Sequence, residues 1–219
     1  MLLLRHGRTA ANAGGRIQGQ LDVPLDDLGR RQAAALADVF AADPPSVVAS
    51  SDLARARETA EVLAGGRPVR LDLRLRELDL GTWQGLTTEE ARLAHPGEHA
   101  AWRAGQDLPR GGGETYADGG RRAAECVREL LVEVPPGGTL VAVTHGGTAR
   151  GAAGVMMGLE PSSWWLLAPL GNTCWSTLVE GDRGWRLERH GVGPGPLLGP
   201  PTGAHDVGAL PSDQALPVR

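Results

Sequence analysis

Residues 139–147, TLVAVTHGG, form the segment of this chain that decides its fold class. The apolar run is continuous rather than alternating, a pattern typical of a strand that a parallel sheet buries on both faces. His145 and two glycines follow the run directly, and a helical pattern continues from them to about residue 157. Because a strand that passes straight into a helix is the repeating unit of α/β proteins, the segment predicts a parallel sheet covered by helices.

A second apolar run, LLLRHG at residues 2–7, ends in the same way at the start of the chain. Each run closes on a histidine with a glycine behind it, which allows a ligand to approach the backbone closely. Functional groups of parallel sheets gather at the carboxyl ends of the strands, so we expect His6 and His145 to share one site. Histidines often bind metals, but no ligand set of His, Cys or carboxylate is apparent, and Arg5 repels a cation. The pair therefore predicts an anion site with no metal.

The remaining patterns complete the predicted fold. Helices are predicted over residues 26–42, 51–66 and 115–134, a loop over 7–25, an extended segment over 67–78, and a hairpin from strands at 174–181 and 185–190. Short helical pieces broken by prolines and glycines predict a small helical capping insertion at about residues 83–122. The prediction is a three-layer α/β/α sandwich with a mostly parallel sheet over residues 1–192. A Pro/Gly-rich, unstructured tail is predicted over residues 193–219.

The composition narrows the function classes. The 219 residues are 41% hydrophobic with a formal net charge of −4, which argues against a nucleic-acid or membrane-surface binder. No stretch approaches the roughly 18 apolar residues of a membrane span, and no signal peptide is recognisable. Two cysteines suit neither a disulfide framework nor a zinc site, so a cytoplasmic protein is expected. All 22 basic residues are Arg, which excludes a P-loop or Schiff-base lysine and leaves guanidinium groups to bind anions.

Two further segments supply candidate residues for an anion site. Arg55 and Arg57 lie in the first turns of a helix that starts just after a predicted short strand, SVVAS at residues 46–50, where an anion is favoured. For Arg57 an exposed helix face with acidic partners is the preferred interpretation. Glu77 stands in LRELDLGTWQG, residues 75–85, where it is either a proton donor to the site or a surface ion-pair partner of Arg74 or Arg76.

Four motifs resemble those of the histidine phosphatase superfamily, which includes cofactor-dependent phosphoglycerate mutases. The matching residues are Arg5-His6-Gly7, Thr9 and Asn12; Ser51-Asp52-Leu53, Arg55-Ala56 and Thr59-Ala60; Arg76-Glu77, Gly81, Trp83 and Gly85; and Thr144-His145-Gly146-Gly147. The motifs occur in the family's order across residues 1–147. A lone RHG motif would be weak evidence for the family, whereas four motifs in the right order make a chance match very improbable.

The resemblance implies a role for each matched residue. His6 resembles the nucleophile that forms a phosphohistidine, and Glu77 the general acid for the leaving group. The phosphoryl clamp is matched by Arg5, Arg55 and His145, the last expected as a protonated imidazole. Substrate contacts are implied for Asn12, Gln18, Gly19 and Gly146. No metal and no cofactor are implied, and the expected partner is a small phosphorylated metabolite.

Strings across residues 2–190 resemble more narrowly the branch that hydrolyses glucosyl-3-phosphoglycerate. A surplus guanidinium such as Arg57 or Arg110 would suit a carboxylate on the substrate, and Trp83 and Trp102 either stack on a sugar ring or belong to the core. A related phosphoglycerate or sugar phosphate ester is also compatible. Two alternatives stay open, a cofactor-dependent phosphoglycerate mutase and a non-catalytic phospho-ligand-binding module, and the resemblance leaves homodimer formation open.

Overall fold

The computed structural model describes residues 1–194 and contains one six-stranded sheet with helices on both faces. The strands are β1 Leu2–Arg5, β2 Val47–Ser50, β3 Arg70–Leu71, β4 Leu140–Thr144, β5 Trp175–Gly181 and β6 Gly184–Val192. The helices are α1 Ala10–Ala13, α2 Asp27–Phe40, α3 Ala54–Ala64, α4 Thr88–Ala94, α5 Pro96–Arg103, α6 Tyr116–Leu131 and α7 Gly146–Met156. Short 3₁₀ segments occur at Leu73–Leu75, Gly81–Trp83, Arg110–Gly112 and Pro161–Leu166.

The sheet has the order β3-β2-β4-β1-β5-β6. The pairs β3–β2, β2–β4 and β4–β1 are parallel, whereas β5 pairs antiparallel with both β1 and β6. The predicted mostly parallel sheet and the predicted hairpin are therefore confirmed. This order places β1 beside β4, so the two strands that end in histidine are direct neighbours.

Successive residues of the central strands pack into different layers. Leu3 and Ala142 contribute to one core cluster, which includes residues of α6 and α7. Leu4 and Val141 contribute to the other, which includes residues of α2 and α3. Because adjacent side chains of a strand point to opposite faces, a continuous apolar run fills both layers of the sandwich. Both cysteines, Cys126 and Cys174, are buried in the first cluster as free thiols.

Two of the predicted local elements were wrong. Within the predicted loop 7–25, residues Ala10–Ala13 form α1, because the side chains of Thr9 and Asn12 cap its end reciprocally. Within the predicted extended segment 67–78, only Arg70–Leu71 are a strand. The Asp72 carboxylate then accepts a hydrogen bond from the Arg74 amide, which starts the 3₁₀ turn. The predicted tail, residues 193–219, lies outside the described residues except for its first two.

Residues 81–112 contain α4, α5 and two 3₁₀ segments, whereas the last residues of the predicted insertion at about 83–122 belong to α6. Ile17, Leu78 and Leu80 surround the fully buried Trp83 in a small apolar cluster that also includes Ala91 of α4. The indole N–H of Trp83 donates to Glu98. Trp83 is thus a core residue, and its predicted alternative as a sugar-stacking surface was wrong. None of the helices within residues 1–194 is long and apolar enough to cross a membrane.

Candidate active site

The two strand-end histidines lie side by side. Arg5 is opposite Thr144 in the parallel pairing of β1 and β4, and the next residue of each strand is a histidine. The His6 amide donates to the Thr144 carbonyl, and the ring centroids of His6 and His145 are 5.1 Å apart. The expected meeting of the two imidazoles at one sheet edge is confirmed.

The tautomer of His6 follows from its backbone contact. Its Nδ1 atom lies 2.7 Å from the carbonyl oxygen of Gly7. A carbonyl can only accept, so Nδ1 carries the proton and Nε2 of a neutral ring carries the lone pair. Burial, followed by the charges of Arg55 and Arg5, holds the pKa of His6 well below its usual value. His6 is therefore a neutral imidazole with a nucleophilic Nε2.

His145, the residue that directly precedes α7, is completely buried. Within residues 1–194, neither of its ring nitrogens has a hydrogen-bond partner. Burial, and then the charge of Arg55, lowers the pKa of His145 well below its usual value. The surroundings therefore favour a neutral ring, in contrast to the protonated imidazole expected from the sequence. The negative charge of a phosphoryl group beside it would act in the opposite direction.

The side chains of Arg5 and Arg55 are both buried and anchored to the backbone. Arg5 Nη1 donates to the Leu170 carbonyl at 2.7 Å. Arg55 donates to the carbonyls of Leu21 at 2.7 Å and Gly19 at 2.8 Å. These bonds fix the position of each guanidinium group, and the charges of both arginines act on His6.

The Glu77 carboxylate lies at the N-terminus of α7. It accepts hydrogen bonds from the amides of Gly147 at 3.1 Å and Thr148 at 2.9 Å, and from its neighbour Leu78. The Thr148 hydroxyl lies 3.1 Å from Glu77 Oε1 and 2.8 Å from the Arg76 carbonyl. Arg76 and Arg74 pair elsewhere, with Asp52 and with Asp72 and Glu129. The alternative of a surface ion pair for Glu77 was therefore wrong.

Arg122 of α6 holds the backbone that carries Glu77. Its guanidinium donates to the carbonyls of Arg74, Arg76 and Glu77 and forms an ion pair with Glu114. Arg122 and Thr148 were not predicted from the sequence, because no local pattern links them to a segment about 45 or 70 residues away.

The four expected substrate contacts differ in their positions. Gln18 and Gly19 line the cleft, whereas Asn12 and Gly146 do not. The Asn12 side-chain oxygen accepts hydrogen bonds from Thr9 and from Asn172, which also donates to the His6 carbonyl. Asn12 is therefore a support of the His6 loop. Gly146 is buried as the first residue of α7, and its neighbour Gly147 lines the cleft in its place.

Gly7 has a different use from the one expected. A Cβ atom at Gly7 would lie 2.6 Å from the Gly29 carbonyl oxygen of α2. The glycine of the RHG motif thus permits a close backbone contact with α2 rather than with a ligand. Its amide donates to the Thr59 hydroxyl, which in turn donates to the Arg55 carbonyl.

His6, Arg55 and Glu77 line one narrow cleft, whereas Arg5 and His145 are not among its lining residues. Its lining residues are His6, Gln18, Gly19, Arg55, Glu77, Leu78, Leu80, Arg110 and Gly147. Arg110 is buried, with its guanidinium carbon 4.7 Å from the ring centroid of Tyr116 and 5.5 Å from that of Trp102. Arg57 is exposed beside Glu61, as the preferred interpretation predicted. Within residues 1–194, no cluster of three His, Cys, Asp or Glu side chains is arranged to hold a metal ion.

Comparisons with known proteins agree with the motifs. A family model described as the histidine phosphatase superfamily (branch 1) matches residues 1–193. The chain is 41% identical over 207 residues to the glucosyl-3-phosphoglycerate phosphatase of Mycolicibacterium vanbaalenii, with 86% of this chain and 92% of that protein covered.

Two solved structures are similar over most of their length. The mycobacterial glucosyl-3-phosphoglycerate phosphatase complexed with VO3 has a TM-score of 0.81 and 40% identity, over 87% of this chain and 98% of that one. The phosphoserine phosphatase of Entamoeba histolytica, in complex with 3-phosphoglyceric acid, has a TM-score of 0.77 and 29% identity, over 86% and 94% of the two chains. Both the fold class and the enzyme class expected from the sequence are thereby confirmed.

Proposed function

The chain belongs to the histidine phosphatase superfamily, and we propose that this phosphatase hydrolyses glucosyl-3-phosphoglycerate through a covalent phosphohistidine at His6. The observation that carries the mechanism is the Nδ1 contact of His6 with the Gly7 carbonyl at 2.7 Å. It leaves the Nε2 lone pair for phosphorus, in a ring that lines the cleft beside the Arg55 guanidinium. A neutral imidazole nucleophile splits hydrolysis into two easier steps.

In the first step, Nε2 of His6 attacks phosphorus in line with the leaving oxygen. The bond between phosphorus and that oxygen breaks, and a proton from Glu77 neutralises the developing alkoxide. Arg5 and Arg55 stabilise the charge on the equatorial oxygens, and His145 contributes a ring N–H. When Glu77 is protonated, the Thr148 hydroxyl is able to accept its proton as a hydrogen bond while donating to the Arg76 carbonyl.

In the second step, the Glu77 carboxylate takes a proton from a water molecule. The water oxygen attacks phosphorus, the bond to Nε2 breaks, and inorganic phosphate leaves. His6 regains its lone pair and Glu77 its proton, so the cycle closes without a metal ion. One carboxylate serves as acid and then as base because both proton transfers take place at the same side of the phosphoryl group.

The substrate part of the proposal rests on Arg110 together with the similarity to glucosyl-3-phosphoglycerate phosphatases. Arg110 lines the cleft, and its guanidinium stacks on Tyr116 and Trp102. A buried guanidinium at that position suits a second anionic group, and a glycerate carboxylate is such a group. A phosphomonoester with no second anionic group offers Arg110 no such partner.

Hydrolysis is favoured over the mutase alternative because the capping insertion is short. A mutase has to retain a released intermediate while it reorients, whereas a phosphatase only has to release the product. The non-catalytic alternative is disfavoured because the nucleophile His6, the acid Glu77 and the clamp residue Arg55 line one cleft.

The proposal is tested by kcat/KM for glucosyl-3-phosphoglycerate, 3-phosphoglycerate, glucose 6-phosphate and a nucleoside monophosphate, with a parallel mutase assay. Glucosyl-3-phosphoglycerate is expected to have the highest value, with negligible mutase turnover. Arg110→Met should lower the values for the two carboxylate substrates more than for glucose 6-phosphate, and Arg57→Met is the matched control. A tenfold preference for an ester without a carboxylate, about 1.4 kcal/mol, would refute the proposed substrate.

A further inference from the structure

A second cavity, of about 340 Å³, is lined by the aromatic rings on which Arg110 stacks. It lies between the end of α5, the start of α6, helix α7 and the 3₁₀ segment Pro161–Leu166. The residues that matter for its chemistry are Trp102, Gln106, Tyr116, Arg150, Ser162 and Trp165. A large aromatic cavity with a few polar groups has the composition of a small-molecule site.

Arg110 links the two cavities through the aromatic rings on which it stacks. The Arg110 guanidinium is stacked on Trp102 and Tyr116, which line the second cavity, while Arg110 itself lines the phosphoryl cleft. Cation–π contacts hold the guanidinium group in this position. A ligand whose carboxylate binds Arg110 is therefore within reach of the aromatic rings that line the second cavity.

Two side chains of the cavity, Arg150 and Trp165, are in surroundings that the packing of the fold does not explain. The Nε atom of Arg150 is buried and, within residues 1–194, has no hydrogen-bond partner, which is costly unless a ligand supplies an acceptor. Trp165 is 61% exposed, although the adjacent Trp164 is buried and donates to the Leu159 carbonyl. An exposed indole facing a cavity offers a flat surface on which a sugar ring stacks.

We propose that this aromatic cavity binds the glucosyl group of the substrate, an inference that rests on the proposed function. In 3-phosphoglycerate the only hydroxyl free to carry a sugar is the one at carbon 2, between the carboxylate and the phosphate ester. The sugar is thus held next to both anionic groups, as the cavity lies next to Arg110. Trp165 stacks on the ring, and Arg150 donates to a sugar oxygen.

The test compares the ratio of kcat/KM for glucosyl-3-phosphoglycerate to that for 3-phosphoglycerate. Trp165→Ala and Ser162→Trp, which fills the cavity, should each lower the ratio by about tenfold through a higher KM for the glucosylated substrate. Leu166→Ala is the matched control, because Leu166 is 65% exposed in the same 3₁₀ segment but does not line the cavity. The inhibition constant of glucosylglycerate, the dephosphorylated product, should rise in parallel.

Each outcome separates the two proposals. A wild-type protein with no preference for the glucosylated substrate would refute the proposed substrate and the cavity assignment together. A wild-type preference that Trp165→Ala and Ser162→Trp both retain would overturn the cavity assignment alone. An equal loss in Leu166→Ala would also overturn it, because the effect would then belong to the exposed apolar surface and not to the cavity.

Discussion

The Nδ1 atom of His6 lies 2.7 Å from the carbonyl oxygen of Gly7, the next residue along the chain. The tautomer of the nucleophile is thus set by a backbone group, whereas many catalytic histidines depend on a carboxylate for this purpose. A neutral acceptor orients the ring without stabilising its protonated form as a carboxylate would. This suits a histidine that has to attack phosphorus as a neutral imidazole between two arginines.

The buried histidines predict a loss of stability in mild acid. Burial and nearby arginines lower the pKa of His6 and His145 in the folded chain, whereas both rings take up protons near pH 6.5 when the chain unfolds. Below pH 6.5 the unfolded state therefore binds more protons, and the free energy of unfolding falls, by at most about 1.4 kcal/mol per pH unit for each ring. Urea unfolding between pH 7.5 and 5.5 measures this slope. His145→Asn should have a shallower slope, and an unchanged slope would contradict the buried neutral ring.

The contact between Gly147 and Glu77 predicts a variant that loses activity without losing stability. A Cβ atom at Gly147 would lie 2.8 Å from Glu77 Oε1 and 3.1 Å from Leu78 Cδ1. Gly147→Ala should displace the carboxylate and lower kcat for alkyl phosphates at least tenfold. Its melting temperature should change little, because alanine favours a helix by roughly 1 kcal/mol over glycine.

Gly97→Ala is the matched control for that variant. Gly97 also lies in the first turn of a helix, and a Cβ atom there meets open space. Full activity is expected for this variant. If Gly147→Ala were equally active on alkyl phosphates, the position assigned to the Glu77 carboxylate would be refuted.

Glu77 itself is tested by the dependence on the leaving group. Glu77→Gln keeps the size of the side chain but provides no acidic proton, so esters with a basic alkoxide leaving group should lose far more kcat/KM than para-nitrophenyl phosphate. We expect the two losses to differ by at least tenfold. Equal losses on both esters would assign Glu77 to structure or to substrate binding instead of proton transfer.

The core of the site was predictable from the sequence because it depends on strand ends. His6 and His145 each follow an apolar run, and neighbouring parallel strands bring their carboxyl ends to one edge. Arg55 was predictable for a related reason, since its helix starts just after β2. The end of an apolar strand and the start of a helix can both be recognised from local sequence patterns.

Other features were not predictable because they depend on long-range hydrogen bonds. The contacts of Arg122 with the carbonyls before Glu77 join α6 to a 3₁₀ turn, and no periodicity reports such a pairing. The burial of Trp83 depends on how α4 and α5 fold over it. The sequence alone therefore could not decide whether Trp83 belongs to the core or stacks on a sugar ring. Asn12 matched a motif, but its capping contact with Thr9 was visible only once α1 was known.

The phosphoryl clamp predicts activity without a divalent metal. Arg5, Arg55 and His145 provide positive charge and N–H donors, which are the contributions that a metal ion makes in other phosphatases. Treatment with EDTA followed by gel filtration should therefore leave kcat/KM within about twofold of the untreated value. If chelation abolished the activity and a single divalent ion restored it, the claim that the clamp replaces a metal ion would be contradicted.

The central claim is that the phosphoryl group is transferred to Nε2 of His6. It is tested most directly by rapid quenching of the wild-type protein with a ³²P-labelled substrate, followed by peptide mapping and NMR assignment of the phosphorylated nitrogen. We predict an acid-labile, base-stable phosphohistidine on the peptide that contains His6, attached at Nε2, and its loss in a folded His6→Ala protein with no turnover. Phosphate trapped at Nδ1 or on His145, or normal turnover of the His6→Ala protein, would contradict the mechanism.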